Sequence, residues 1–429
     1  MDSYKKIEND LLLNLQKLIR IESVESAPQK GMPFGKGVSD ALNFYLELAK
    51  GFGLETKNYD GYAGEITLPA EGATESVAVL VHLDVVPAGE GWSVPPFSGE
   101  IKDGKIWGRG ATDDKGAAVV CLYALKALLE SGAKLKKNIV LIAGCDEESG
   151  QLCMQYYKKH AEMPETGFSP DADFPLINCE KTILQLKLLL PCDKAFSGLV
   201  AATDCGGRAN IVPENASAKL VSGQSISFKG RAAHAMEAFT GDNAIHKLVR
   251  ELKRLLGAGE KSAAVEFMSD CLCDTDGAGL GIKAEDGKSG ALTMNFAALK
   301  LTGGKLEITL DLRCPLSKDV DSIMSAINSR MPSGGKTEII YHQPGIYVSP
   351  DSPLVKTLLT VYEKVTGRKG NCILSGGGTY ARQLKNGVAF GPSDQDIDYN
   401  IHSADEFAFI KQLEEMFEIY YEAIKELAR

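Results

Sequence analysis

The chain has no Cys-x-x-Cys pair, no unbroken apolar stretch near the ~18 residues a membrane helix needs, and no surplus of positive charge. Each absence removes a class of function. Lysine plus arginine number 47 against 57 acids, a formal net charge of −10. Nucleic acid and anionic membrane, which are held by excess positive charge, are therefore not expected as partners. The opening MDSYKKIENDLLLNLQKLIR mixes charge into an amphipathic pattern with no small-residue cleavage site, so no signal peptide is expected. Ten cysteines lie between Cys121 and Cys372, and the nearest two, Cys271 and Cys273, suit disulfide geometry poorly. A reduced, cytoplasmic protein is the expectation. His-Glu-x-x-His and Gly-x-Ser-x-Gly are absent. Gly287-Lys288-Ser289 and Gly335-Lys336-Thr337 fail as phosphate loops, because the earlier glycine each requires is Ile282 or Arg330. The Gly108/Gly110 pair has Asp113 where a dinucleotide loop needs its third glycine.

What is present is a folded chain of 429 residues, 44% hydrophobic and 24% charged, enough for two or three domains. Ser76–His82 is short, apolar and rich in β-branched residues, as a strand buried on both faces should be. A hairpin around 97–107 turns at Asp103-Gly104, and helical spacing runs from Lys115 to Glu130 before Ser131-Gly132 stops it. A strand at Asn138–Ala143 and a helix at Glu148–Lys159 follow. This alternation predicts an α/β fold with a mostly parallel sheet. From Ile183 to Tyr347 the pattern changes to βαββαβ. Its parts are strand Ser225–Lys229, helix Gly241–Leu256, hairpin Ala291–Lys300 with Lys305–Arg313, helix Lys318–Arg330 and strand Thr337–Tyr341, a ferredoxin-like α+β module with extra material. Helix Pro353–Thr366, strand Cys372–Leu374 and a terminal helix Ala404–Leu427 then return to the first style. The expected domains are 1–182 and 348–429 as one catalytic domain, with 183–347 inserted as a lid.

Of only six histidines, two keep acidic company. His82 and Asp84 end the first strand. Asp113 and Asp114 precede a helix, Glu147 and Glu148 follow the next strand, Asp171 and Asp173 lie in SPDADFP, and His402 lies in YNIHSADE. In an open α/β sheet the carboxyl ends of the strands form one crevice. Carboxylates crowded there repel unless a cation neutralises them. Histidine with carboxylate and no thiolate suits zinc, manganese or cobalt. Taken singly, each cluster has an ordinary reading: a hydrogen-bonded loop pair, a helix N-terminus, or a loop histidine.

His82-x-Asp84, Gly108-Arg109-Gly110-x-x-Asp113-Asp114-Lys115-Gly116 and Asp146-Glu147-Glu148-Ser149-Gly150 together resemble the co-catalytic zinc metallopeptidases of the aminoacylase/carboxypeptidase-G family. Ser169–Pro175, Gly376-Gly377-Gly378-Thr379-Tyr380-Ala381-Arg382 and His402 resemble its bacterial dipeptidase V branch, whose members include Xaa-His, carnosinase-like dipeptidases. The resemblance implies two divalent metals, most simply zinc. His82, Asp113 and Asp171 would hold one, and Asp113 would bridge to a second completed by Glu148 and His402. It implies Glu147 as general base and acid toward a metal-bridged water, with Asp84 orienting His82 through its other ring nitrogen. It further implies substrate contacts from Asn210, His234 as oxyanion donor, Arg313 on a terminal carboxylate, and the backbone of Gly377, Gly378 and Thr379.

The implied activity is hydrolysis of short peptides. The same site would also serve an N-acyl-amino-acid or N-succinyl-diamine amidohydrolase, and recognition of a free amino group, with Asp173 one candidate, separates the two. A binding protein without chemistry is disfavoured by the presence of Glu147. Two positions depart from the family pattern, Cys145 before the acidic triplet and Asn178-Cys179-Glu180-Lys181-Thr182 after Asp171. They read either as small buried hydrophobes or as thiols open to oxidation beside the metals. The long insert argues for a monomer.

Overall fold

The computed structural model describes residues 2–257 and 260–429. The chain divides into two compact units, Met1–Asn178 with Val348–Ile373 and Thr379–Arg429, and Cys179–Tyr347 with Leu374–Gly378. No helix among the described residues is long and apolar enough to cross a membrane.

The first unit is built on a sheet whose strands run in the order Glu55–Tyr59, Ala63–Leu68, Asn138–Gly144, Ser76–His82, Thr166–Ser169, Asn386–Ala389, Leu176–Glu180. Its middle is parallel: His82 pairs with Gly144, Val79 with Phe168, and Val388 with Phe168. The flanking pairs are antiparallel, so the sheet is parallel at its centre rather than throughout. Ser76–His82 and Asn138–Gly144 are buried from their second residue onward, which is why both read as continuous apolar runs. Helix Lys115–Ser131 is apolar around most of its circumference, and every residue from Lys115 to Leu125 is buried. It packs against the terminal helix and ends on Gly132, whose φ of 64° is the left-handed conformation glycine adopts without penalty.

Two helices of the first unit start later than the sequence periodicity suggests. The one expected from Glu148 begins at Leu152, because the Asp146 carboxylate captures the N–H groups of Gly150 and Leu152 and holds 146–151 as a turn. The terminal helix expected from Ala404 begins at Ile410. The residues before it, Phe407–Phe409, form a strand against Lys105–Trp107, joining the hairpin turned at Asp103-Gly104.

The second unit carries a seven-stranded sheet with its own apolar core. Four adjacent strands in the order Lys336–Gln343, Thr182–Pro191, Lys305–Cys314, Thr293–Thr302 give the 4-1-3-2 arrangement of a ferredoxin-like module, all antiparallel. Its first strand is therefore Thr182–Pro191, whose alternating burial marks one face as core, and not Ser225–Lys229. Ser225–Lys229 is a strand as expected, but it lies at the far edge of a meander formed with Val200–Gly206 and Asn215–Leu220. Leu374–Gly378 joins this unit through Lys181 N–H to Ser375 O (3.0 Å) and Arg313 Nη1 to Gly376 O (2.9 Å), although the sequence reading groups it with the catalytic part.

Candidate metal centre and catalytic carboxylates

Three parallel strands deliver the acids to one end of the first unit's sheet. His82 is the last residue of its strand, Glu147 and Glu148 follow Gly144 by a short turn, and Asp171 follows Ser169. Asp113 sits at the start of the buried helix. His402 arrives from a loop in which it adopts a φ of 61°. These segments bring together two groups of donor atoms, His82–Asp113–Asp171 and Asp113–Glu148–His402, each spanning less than 4.8 Å.

Asp113 is common to both. Its Oδ1 lies 2.9 Å from His82 Nε2, and its Oδ2 lies 2.9 Å from His402 Nε2. Asp171 Oδ1 is 3.7 Å from His82 Nε2, and the two oxygens of Glu148 are 3.2 and 3.1 Å from His402 Nε2. Two imidazoles and three carboxylates without a thiolate form a hard, nitrogen–oxygen donor set, the kind zinc, manganese or cobalt accepts.

The electrostatics point to the same conclusion. Burial raises Glu148 and lifts Asp171 to about 7, and neighbouring carboxylates add to both shifts. Burial also pushes Glu147 well up, with Asp171 as the next cause. At His402 burial works against the charged form, but Asp113 and Glu148 outweigh it and hold the imidazolium up to about 11. The carboxylates thus favour the charged form of both histidines, and the same negative field favours a divalent cation. The residues fit a metal.

Asp84 acts differently from expectation. His82 Nδ1 is 3.0 Å from the backbone oxygen of Asp84, and the carboxylate Oδ1 is farther off at 3.6 Å. The carboxylate instead accepts the N–H of Glu147 at Oδ1 and of Glu148 at Oδ2, both at 3.1 Å. Held in this way, the adjacent glutamates diverge: Glu148 reaches His402, whereas Glu147 Oε1 accepts a bond from Gln151 Nε2 at 2.9 Å. Asp173 stands apart from this cluster. Burial raises its carboxyl, and Asp394 adds to the shift.

The remaining expected substrate contacts belong mostly to the second unit and gather there. Ile211 pairs with His234, and Asn210 O accepts the N–H of Ala235 at 2.8 Å. His234 Nδ1 accepts the N–H of Met236 at 3.2 Å, which leaves the proton of a neutral ring on Nε2. A side chain on Gly376 would meet Met236 Cβ at 2.5 Å, so the glycine allows the loop to lie against this segment. Arg313 is 3% exposed, and its Nε and Nη2 donate to the two oxygens of Asp311 at 2.6 and 3.1 Å. The fork expected to grip a substrate carboxylate is thus already bidentate to Asp311. Gly377 N–H donates to Ser375 Oγ at 2.9 Å. Thr379, in the first unit, caps a short helical turn through Oγ1.

Glu406 and Gln151 escape motif reading, and Asp114, although within a motif, has a role that the motif does not give. Glu406, fully buried, accepts the N–H groups of Gly110, Thr112 and Asp113 at Oε1 (3.1, 3.0 and 3.2 Å) and Arg109 Nη1 at Oε2 (2.6 Å). It fixes the backbone that presents Asp113, and its place four residues after His402 is the only sequence signal it gives. Asp114 Oδ2 accepts the N–H of His82 at 3.1 Å. Gln151 lies inside a stretch that reads as helix and gives no signal.

A family model described as "Peptidase family M20/M25/M40" matches residues 78–426. The protein YtjP of Bacillus subtilis (strain 168) is 38% identical, with 98% of each chain covered. The Beta-Ala-Xaa dipeptidase of Lactobacillus delbrueckii subsp. lactis is 32% identical over 98% of this chain and 96% of its own. Among solved structures, the Saccharomyces cerevisiae di-peptidase Dug1p shares the fold with a TM-score of 0.66 at 17% identity, covering 99% of this chain and 98% of its own. Human carnosine dipeptidase 1 does so with a TM-score of 0.63 at 14% identity, covering 99% and 97%.

Proposed function

The chain belongs to peptidase family M20/M25/M40, and from that premise we propose that it is a cytoplasmic dipeptidase that works with two divalent metal ions, most simply zinc. Hydrolysis of dipeptides follows from the near full-length match to the Beta-Ala-Xaa dipeptidase. The observation that carries the two-ion reading is the division of Asp113 between His82 and His402. On this reading His82, Asp113 and Asp171 hold one ion, and Asp113, Glu148 and His402 hold the other. When bound, such ions polarise the scissile carbonyl and make water a competent nucleophile at neutral pH.

Glu147 takes the proton from the attacking water and returns it to the departing amine as the C–N bond breaks. Burial raises its affinity for a proton, the direction that taking up the water proton requires. Asp84 holds the Glu147–Glu148 backbone, so base and ligand keep a fixed separation. Asn210, His234 and Arg313, with Gly377, Gly378 and Thr379, are assigned to substrate. His234 donates from Nε2 to the oxyanion. Arg313 contributes positive charge and anchors Gly376 O, since Asp311 holds its fork.

The lid role assigned to 183–347 and the monomeric state belong to the same proposal. The additional meander that widens the second unit's sheet supports the latter, and sedimentation as a dimer whose activity falls on dilution would refute it. Ten free cysteines support a reducing compartment. The deciding experiment is hydrolysis of dipeptides against N-acyl-amino acids after reconstitution with zinc, manganese or cobalt. Dipeptide turnover restored by metal is expected, and turnover of the acyl substrates alone would replace this reading with the amidohydrolase one.

A further inference from the structure

We infer that Gln151, backed by Gln383, is a positioning residue that decides which oxygen of Glu147 receives the proton. This rests on Glu147 being the general base. Gln151 Nε2 donates to Glu147 Oε1 at 2.9 Å, and Gln383 Nε2 donates to Gln151 Oε1 at 2.7 Å. A base that is to take up the water proton starts its cycle ionised, and an ionised carboxylate only accepts, so the end of the Gln151 amide facing Glu147 is its NH2 group. Its carbonyl then faces Gln383, whose NH2 group meets it. The two amides form a chain with one direction, Gln383 to Gln151 to Glu147, and flipping either amide would oppose like ends.

The backbone supports a dedicated role. Gln151 has φ 58° and ψ 27°, the left-handed region that glycine or asparagine enters at little cost and glutamine rarely adopts. Its N–H is held by Asp146 O at 2.7 Å, and the residue is 6% exposed. A glycine here would relieve the backbone but supply no amide. A buried side chain retained in an unfavourable conformation and aimed at the base points to a function for that side chain.

The consequence concerns one proton. With Oε1 engaged by an N–H donor, protonation at Oε1 would weaken that bond, whereas protonation at Oε2 preserves it. The bond also stops the carboxyl group from rotating. In the forward step the water O–H bond breaks, its proton passes to Glu147 Oε2, and the water oxygen bonds to the carbonyl carbon. In the return step Oε2–H gives that proton to the leaving nitrogen as the C–N bond breaks. Gln151 changes neither the ions nor the substrate contacts, so its removal should slow turnover without changing substrate affinity.

The test compares Gln151→Met, Gln383→Met, the double variant and Glu147→Gln in the metal-loaded enzyme, recording kcat, KM for one dipeptide, and bound metal. Gln151→Met keeps length and loses the donor, and kcat should fall about ten-fold with KM and metal content unchanged. Gln383→Met should lower kcat about three-fold, and the double variant should be no slower than Gln151→Met alone, because Gln383 acts through Gln151. Wild-type kcat in Gln151→Met, losses that multiply in the double variant, or a loss explained by missing metal would overturn the inference. If Gln151→Met does not fold, Gln383→Met decides: a kcat loss at constant KM supports the chain, and wild-type kcat overturns it. Activity in Glu147→Gln would sink the base assignment itself, whereas an inert Glu147→Gln beside a fully active Gln151→Met sinks only this inference.

Discussion

The two oxygens of Asp113 are shared between two histidines 320 residues apart in sequence, Oδ1 with His82 and Oδ2 with His402, each at 2.9 Å. A side chain divided in this way ties two donor groups into one. Asp113→Ala should therefore empty both metal positions together. Metal analysis after exhaustive dialysis checks this, and one ion retained at full occupancy would show that Asp113 does not bridge.

Glu147→Gln should keep wild-type metal content, because Glu147 belongs to neither donor group. An amide cannot accept the water proton, so kcat should drop by about 10²–10⁴. Wild-type kcat with wild-type metal would remove Glu147 from the mechanism.

Glu406→Ala should be costly to stability. It leaves the Arg109 guanidinium, 1% exposed, without its carboxylate and frees the N–H groups of Gly110, Thr112 and Asp113. Removing one partner of a buried pair costs roughly 3–5 kcal/mol. Urea denaturation of the apo protein measures this directly. A loss below about 1 kcal/mol would mean that the loop holds itself.

How much of this was legible in the sequence varied with the physics. Helix Pro353–Thr366 was readable to the residue, because Ser352 caps it, Pro353 sits in its first turn and Gly367 ends it in the left-handed conformation. His82, Glu148 and Asp171 were legible as neighbours because parallel strands end in a shared crevice, whereas Asp113 before a helix and His402 in a distant loop joined them only through the family resemblance. Strand Ser225–Lys229 was readable as a strand, but alternation along a segment says nothing about its neighbour, so its edge position was hidden. Glu406 and Gln151 were hidden for another reason. Glu406 binds Arg109 and three backbone N–H groups 293–297 residues earlier, and Gln151 links a carboxylate to a distant amide, and pairings of that kind leave no motif.

His246 gives a pH dependence remote from the metal centre. Burial, helped by Arg250, lowers its pKa to about 4, and its Nε2 has no hydrogen-bond partner among the described residues. The unfolded chain, with a histidine near 6.5, binds the proton more readily. The stability of the second unit should be complete above pH 6.5 and decline as pH falls toward 4, the gap being worth roughly 3 kcal/mol. His246→Phe should flatten that slope in thermal melts taken at several pH values. An unchanged slope would assign the acid sensitivity to other groups.

Cys145 is fully buried and Cys179 is 2% exposed. Burial pushes the Cys145 thiol well up, away from the reactive thiolate. Mild peroxide should accordingly leave activity intact in the wild type, and in a Cys145→Ser, Cys179→Ser double variant alike. Inactivation reversed by thiol reductant in the wild type and absent from the double variant would contradict this.

The first unit's sheet also sets a timetable. Thr166–Ser169 takes one of its parallel neighbours from Asn386–Ala389, residue 166 lying beside residue 386. At about 5–20 residues per second, a ribosome needs roughly 10–40 s to make the intervening chain. Throughout that interval the buried helix Lys115–Ser131 lacks the terminal helix that will pack against it. The nascent protein is then an incomplete layer with an acidic rim and no His402. The face that Ile410–Leu427 will bury stays open to water until that helix has been made.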